Sequence, residues 1–311
     1  VANALHNDAS SYTNALAVVN GLDLYVRGRI TGLLSGDHRS SMIGAGTELF
    51  AIHPYVAGDD VRTIDWNVTA RTSEPHVKTF VAERALTSWI IFDASASMLF
   101  GTADRTKLDV ASGAALALSQ LTTRRNNRLG FTSFGTHGNV SMTPRQGRQG
   151  LITVLTAIRN ARSVDRSART LGPLGQLPDL DAALRACANI GRSRQVLVVI
   201  SDFRDAPSWA TRLPAIAARH DVIAIEIHDP REEQIPNVGV VLLTDPETGR
   251  RVRVDTSKSK TRQRFSEAAI AERQQLHQTL QRCNADHLRL STSGDWLAQL
   301  VRFLELRKAK R

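Results

Sequence analysis

Two apolar runs that end in oxygen-bearing side chains constrain this chain more than any other feature. The first, Trp89-Ile90-Ile91-Phe92, stops at Asp93-Ala94-Ser95-Ala96-Ser97; the second, Val196-Leu197-Val198-Val199-Ile200, stops at Ser201-Asp202. Short apolar runs bounded by polar clusters read as strands buried on both faces, the kind that parallel sheets contain. In open α/β sheets, ligands bind in the crevice beyond the carboxyl ends of the strands. Asp93, Ser95 and Ser97 are therefore expected to turn their oxygens toward one point in that crevice. If the two strands are neighbours, Asp202 reaches the same edge.

Two carboxylates and several hydroxyls around one point repel each other, or take up protons, unless a cation sits between them. The donors are all hard oxygens, which suits Mg²⁺ or Mn²⁺, with Ca²⁺ also admissible, rather than zinc or copper. The competing reading for Asp202 is a cap on the following helix or a pair with Arg204.

The pattern around these runs predicts an α/β fold with a doubly wound, mostly parallel sheet. Leu108, Ala111, Ala115, Leu118 and Leu121 mark an amphipathic helix. Strands are expected at Arg128 to Phe134, Gln195 to Ile200, Val222 to Ile227 and His287 to Leu290, with a short antiparallel edge strand from Asn139 to Met142. Helices are expected over Gln149 to Ala161, Asp179 to Ile190, Trp209 to Arg219, Thr261 to Cys283 and Asp295 to Leu306. Strands alternating with helices imply βαβ units. Asp245-Pro246-Glu247-Thr248-Gly249, between two alternating runs, is hairpin-turn chemistry and predicts a β-hairpin insertion over 238–255.

The N-terminal part reads differently. Apolar positions recur at helical spacing from about Ser11 to Leu34, Gly36 to Phe50 reads as a loop, and Val77 to Ala82 alternates as a strand does. Two domains follow: an N-terminal helical and loop appendage over 1–84, and an α/β domain over 85–311. Asp59, Asp60, Arg62, Asp65 and Arg71 crowd around Trp66. Alternating charges of this kind are expected to form a salt-bridged, hydrogen-bonded scaffold that fixes the N-terminal segment against the sheet, rather than an active site.

Composition excludes several functions. With 42% hydrophobic and 23% charged residues the chain is of ordinary globular type, and no apolar run is long enough to span a membrane. Val1 to Tyr12 lacks a basic-then-apolar signal pattern. Cys187 and Cys283 lie far apart without metal-ligand spacing and are expected to pack as small apolar groups, which fits a reducing cytoplasm. The net charge of +10 is spread along the chain and aromatics make up only 5%, a poor stacking platform for nucleic acid. There is no phosphate-binding G-x-x-x-x-G-K-[ST] loop, no G-x-S-x-G elbow and no paired histidine motif.

Asp93-x-Ser95-x-Ser97 with Asp202, in this order of strands, resembles a von Willebrand factor A domain and its metal-ion-dependent adhesion site. The segments Gly36-Asp37-His38-Arg39-Ser40, Tyr55-Val56-Ala57-Gly58-Asp59-Asp60-Val61-Arg62-Thr63-Ile64-Asp65-Trp66 and Ala70-Arg71 are similar to the signature of the bacterial "domain of unknown function 58" family. So are His220-Asp221-Val222-Ile223-Ala224, Asp229-Pro230-Arg231-Glu232 and the run from His287 to Leu297. The resemblance extends from about Gly21 to Leu306.

The resemblance implies a non-enzymatic protein-interaction adaptor that works with a MoxR-type AAA+ ATPase in client remodelling or activation. It also implies Ser95 and Ser97 as direct ligands of Mg²⁺ or Mn²⁺, with Asp93 and Asp202 direct or water-linked. Where the family pattern calls for a threonine, this chain has Leu177-Pro178-Asp179, so Asp179 is the remaining candidate for a third element. The alternatives are a Mg-dependent hydrolase and a nucleic-acid binder using the basic C-terminal surface.

Overall fold

The computed structural model describes residues 43–81, 86–102, 105–123, 127–135, 140–168, 179–188, 193–204 and 208–309. The helices expected between Ser11 and Leu34 lie outside the described residues, as do Leu177 and Pro178. The chain divides into compact units between Ala85 and Leu86, one of them Leu34–Ala85.

In that unit β1 (Ile43–Pro54) pairs antiparallel with β2 (His76–Val81). The strand at β2 agrees with the alternation seen there. The loop expected over 36–50 is corrected: from Ile43 onward the chain is strand. Its glycines are accommodated because the register shifts between Ile43 and Glu48, a stretch that contains Gly44 and Gly46. Irregularities of this kind are where glycine is tolerated within a strand. The appendage is thus an antiparallel pair enclosing a short helix, α1 (Trp66–Thr72), and a single turn of 3₁₀ helix at Val61–Thr63.

The aspartates of this unit act on the neighbouring backbone. Asp59 Oδ2 accepts the Val56 N–H (2.9 Å), and Asp60 Oδ1 caps the 3₁₀ turn through the Arg62 N–H (3.0 Å). Asp65 Oδ1 caps α1 by accepting from the N–H groups of Asn67 and Val68 (2.9 and 3.3 Å). Its other oxygen lies 3.1 Å from the Lys78 ammonium, which holds the Asp65 carboxyl below its ordinary range. Capping of this sort satisfies orphan N–H groups at a helix start. The expected salt bridges are corrected: among the described residues no ion pair joins the Arg62 or Arg71 side chain to these aspartates, which cap backbone N–H groups instead, and Trp66 is 72% exposed.

The second unit contains a six-stranded sheet of β3 (Thr87–Ala94), β4 (Arg128–Gly135), β5 (Val140–Gln146), β6 (Val196–Ser201), β7 (Asp221–His228) and β10 (Asp286–Ser291). Its order is β5-β4-β3-β6-β7-β10, parallel throughout except at the β5 edge. Numbered along the chain, that is the 3-2-1-4-5-6 order of doubly wound sheets. The hairpin insertion β8 (Val240–Thr244) and β9 (Arg251–Asp255) forms a two-stranded sheet of its own.

Strand periodicity divides the core into two layers. Ile90, Phe92, Phe131, Val198 and Ile200 face α2 (Lys107–Thr123), α3 (Gly147–Ala168) and α7 (Trp296–Ala309). Trp89, Ile91, Leu197 and Val199 face α4 (Leu180–Ala188), α5 (Trp209–Ala217) and the end of α6 (Ser259–Arg282). Each fully buried aliphatic or aromatic side chain contributes about 1.5–3 kcal/mol relative to exposure. One close approach explains a glycine inside α2. A Cβ on Gly113 would lie 2.6 Å from the Trp296 ring, so only glycine lets α7 begin against that face.

Both cysteines are buried free thiols, with burial pushing Cys187 up to about 11. Among the described residues no helix is long and apolar enough to cross a membrane.

Candidate functional site

The register of the sheet assembles the site. β3 lies between β4 and β6, with Phe92 opposite Ile200. The carboxyl ends of β3 and β6 therefore lie side by side where the strand order reverses, the crevice in which doubly wound sheets bind ligands. Asp93 is wholly buried there. Its Oδ2 accepts from the Ser201 hydroxyl (2.6 Å) and its Oδ1 from the Ser95 N–H (2.9 Å). Ser201 Oγ in turn accepts the Phe203 N–H (2.9 Å), so its single proton is directed at Asp93. The chain then turns into a 3₁₀ helix, Ala96–Leu99. Gly135, at the end of β4, makes room for this turn: a Cβ there would lie 2.5 Å from the Ala94 carbonyl carbon, and its φ of +142° suits glycine.

Ser95 Oγ and Ser97 Oγ are 3.0 Å apart. The electrostatics around them are dominated by Lys107, the first residue of α2, whose side chain is 0% exposed. Its ammonium donates to Asp202 Oδ2 (2.6 Å) and to Glu232 Oε1 (2.7 Å). Asp202 Oδ1 also accepts the Arg204 N–H (3.2 Å). Burial alone would raise the Asp202 carboxyl, but the Lys107 charge and hydrogen bond hold it below the ordinary range. Asp93 has no such partner. Burial, reinforced by the charge of Asp202, pushes it up to about 7.

Glu232 connects this pair to the end of β7. Its Oε2 accepts the Asp229 N–H (3.0 Å), closing a capping box on the turn Pro230–Glu232. The buried Asp229 carboxylate then accepts from the hydroxyls of Thr102 and Thr292 (both 2.6 Å) and from the Thr102 N–H (3.0 Å). One carboxylate thus ties the loop after β3 to the loop after β10.

The hairpin supplies a third acid. Glu247 Oε1 accepts the Ser97 N–H at 2.7 Å. Burial, then the charges of Asp202 and Asp245, raises the Glu247 carboxyl above its usual range.

The structure therefore brings Asp93, Ser95, Ser97 and Asp202 together at one sheet edge. Asp179 is placed otherwise. It is exposed at the start of α4, where its Oδ1 accepts the Ala182 N–H (2.9 Å) and its Oδ2 lies 3.5 Å from Arg185. No hydrogen bond joins it to the other four. Asp59, Asp60, Arg62, Asp65, Trp66 and Arg71 belong to the other unit. The residues that sequence reasoning missed are Lys107, Glu232 and Glu247.

The Ser95 and Ser97 hydroxyls, hydrogen-bonded to each other at 3.0 Å beside the buried Asp93 and Asp202 carboxylates, are a set of hard oxygen donors that fits a small hard cation. Among the described residues no group of three His, Cys, Asp or Glu forms a metal cage. Ser95 and Ser97 would hold the ion, with Asp93 and Asp202 behind them.

A 3-2-1-4-5-6 sheet with one antiparallel edge, carrying D-x-S-x-S at its switch point, defines a doubly wound α/β domain. The chain belongs to the family described as protein of unknown function DUF58, which matches residues 51–275. It is 40% identical over 294 residues to Uncharacterized protein Rv1480 of Mycobacterium tuberculosis, covering 94% of this chain and 89% of that one. Among solved structures it resembles BatB from Bacteroides thetaiotaomicron at 18% identity and a TM-score of 0.43, covering 73% of this chain and all of that one. It also resembles the SpRpn10 VWA domain, at 13% identity and a TM-score of 0.33, covering 70% and 94%.

Proposed function

We propose that this chain is a non-enzymatic interaction adaptor whose docking face is the sheet edge at Asp93, Ser95, Ser97 and Asp202. The carrying observation is the 3.0 Å pair of serine hydroxyls at the switch point, backed by two buried aspartates. When bound there, Mg²⁺ or Mn²⁺ supplies a Lewis-acidic position for a carboxylate of another protein. Ser95 and Ser97 present the ligand oxygens. Asp93 fixes the loop through the Ser95 N–H, and Ser201 orients Asp93. Lys107 balances Asp202, so that the site can hold its acids close together in a dry sheet end. These groups bind and orient, and both Asp93 oxygens already accept hydrogen bonds, which favours a binding role over proton abstraction.

In this reading the partner is a MoxR-type AAA+ ATPase, or the client it remodels, and the setting is cytoplasmic. Purified chain is mixed with a purified MoxR-type AAA+ ATPase and passed over a sizing column with Mg²⁺ or with chelator. Co-elution that chelator and Ser97→Ala both abolish is expected. Separate elution under both conditions would contradict the partnership.

A further inference from the structure

The hairpin does not sit on the body as a packed element. β8 and β9 pair only with each other among the described strands, and Val240, Leu242, Leu243 and Val252 remain exposed. Its base is pinned: buried Thr256 accepts the Val238 N–H (3.0 Å) and donates to the Gly239 carbonyl (2.7 Å). Its tip is a hydrogen-bonded turn in which Asp245 accepts from the Glu247 N–H (3.0 Å) and from the Thr248 hydroxyl. Around that tip Asp245, Thr248 and Arg250 face solvent, and Glu247 alone is drawn in. It reaches a loop 150 residues away and takes the Ser97 N–H. A carboxylate drawn toward Asp202 against charge repulsion needs a compensating attraction, which that N–H provides.

We propose that Glu247 is a tethered occupant of the place where a partner's carboxylate docks. The hairpin is then an arm that must lift before a partner binds. The proposal rests on the reading of this sheet edge as a docking face, and it specifies the partner's chemistry: an exposed segment presenting an Asp or Glu side chain. Arg250, Arg251 and Arg253, exposed on the same arm, favour further acidic residues flanking that side chain. An arm closed in about nine molecules of ten lowers the apparent affinity of such a segment about tenfold.

The test uses fluorescence anisotropy with a labelled, otherwise uncharged peptide carrying one glutamate, in Mg²⁺, on the full chain and on Glu247→Ala. The glutamine twin of the peptide is the control. About tenfold tighter binding by Glu247→Ala, seen with the glutamate peptide alone, is expected. Hydrogen exchange gives a second readout: the Ser97 amide is protected in the wild type and exposed in Glu247→Ala, and saturating peptide speeds exchange over 238–256. Equal or weaker peptide binding by Glu247→Ala overturns the tethered occupant and leaves the docking face standing. Binding by neither protein overturns both. An unprotected Ser97 amide in the wild type overturns the tether directly.

Discussion

The Lys107 ammonium lies 2.6 Å from Asp202 Oδ2 with no solvent contact, and it reaches Glu232 at 2.7 Å on its other side. A lysine at a helix N-terminus opposes the helix dipole, so the two carboxylates must offset both that cost and its desolvation. Lys107 acts as an internal cation for one wall of the site.

Replacing Lys107 with Met leaves Asp202 and Glu232 buried without their partner. Breaking a buried ion pair in this way costs about 3–5 kcal/mol, and denaturant unfolding should show a loss of that order. The same variant should gain more thermal stability from Mn²⁺ than the wild type does, because an added cation then compensates Asp202. Equal Mn²⁺ shifts in the two proteins would separate Lys107 from the cation site.

The pH dependence follows from Asp93. Its folded-state value, pushed up to about 7, lies above the unfolded carboxyl near 3.8. The native state therefore binds more protons between those values, and this group's contribution to stability falls as pH rises through that window. A cation selects the ionised form, so Mn²⁺ affinity should climb with pH up to about 7 and then level off. Asp93→Asn should flatten the climb and lower the affinity about ten- to a hundredfold. A wild-type affinity that does not change with pH would contradict the assignment.

Asp229 carries the loops on either side of the site. Asp229→Ala removes the acceptor for Thr102 and Thr292, and each buried polar group left unpaired costs about 1–3 kcal/mol. Amide exchange should quicken in 96–102 and in 291–295 together. Quickening in only one of these loops would show that Asp229 does not couple them.

The Asp93-x-Ser95-x-Ser97 and Ser201-Asp202 clusters were legible because chain-local signals place them. An apolar run that stops abruptly fixes where a strand ends, and two such strands pair at their ends. Lys107 left a weaker trace. It stands at i, i+3, i+4 and i+7 with Val110, Ala111 and Ala114, on the buried stripe of α2, where a charge requires buried partners. The Asp229-x-x-Glu232 spacing is that of a capping box, but nothing local joins Glu232 to a lysine 125 residues earlier. Glu247 could be read as part of a turn and no further, since the landing point of a hairpin tip depends on the path of the whole arm. In β1 the opposite failure occurred: Gly44 and Gly46 suggested a loop where an irregular strand pairing tolerates them.

Calorimetric titration of Mn²⁺ into the full chain asks whether Ser95 and Ser97 hold a divalent cation at the sheet edge. One saturable site is expected in the wild type, lost in Ser95→Ala and in Ser97→Ala while both variants keep wild-type unfolding midpoints in chelator. Heat of binding that is absent from the wild type, or that persists unchanged in both variants, would contradict it.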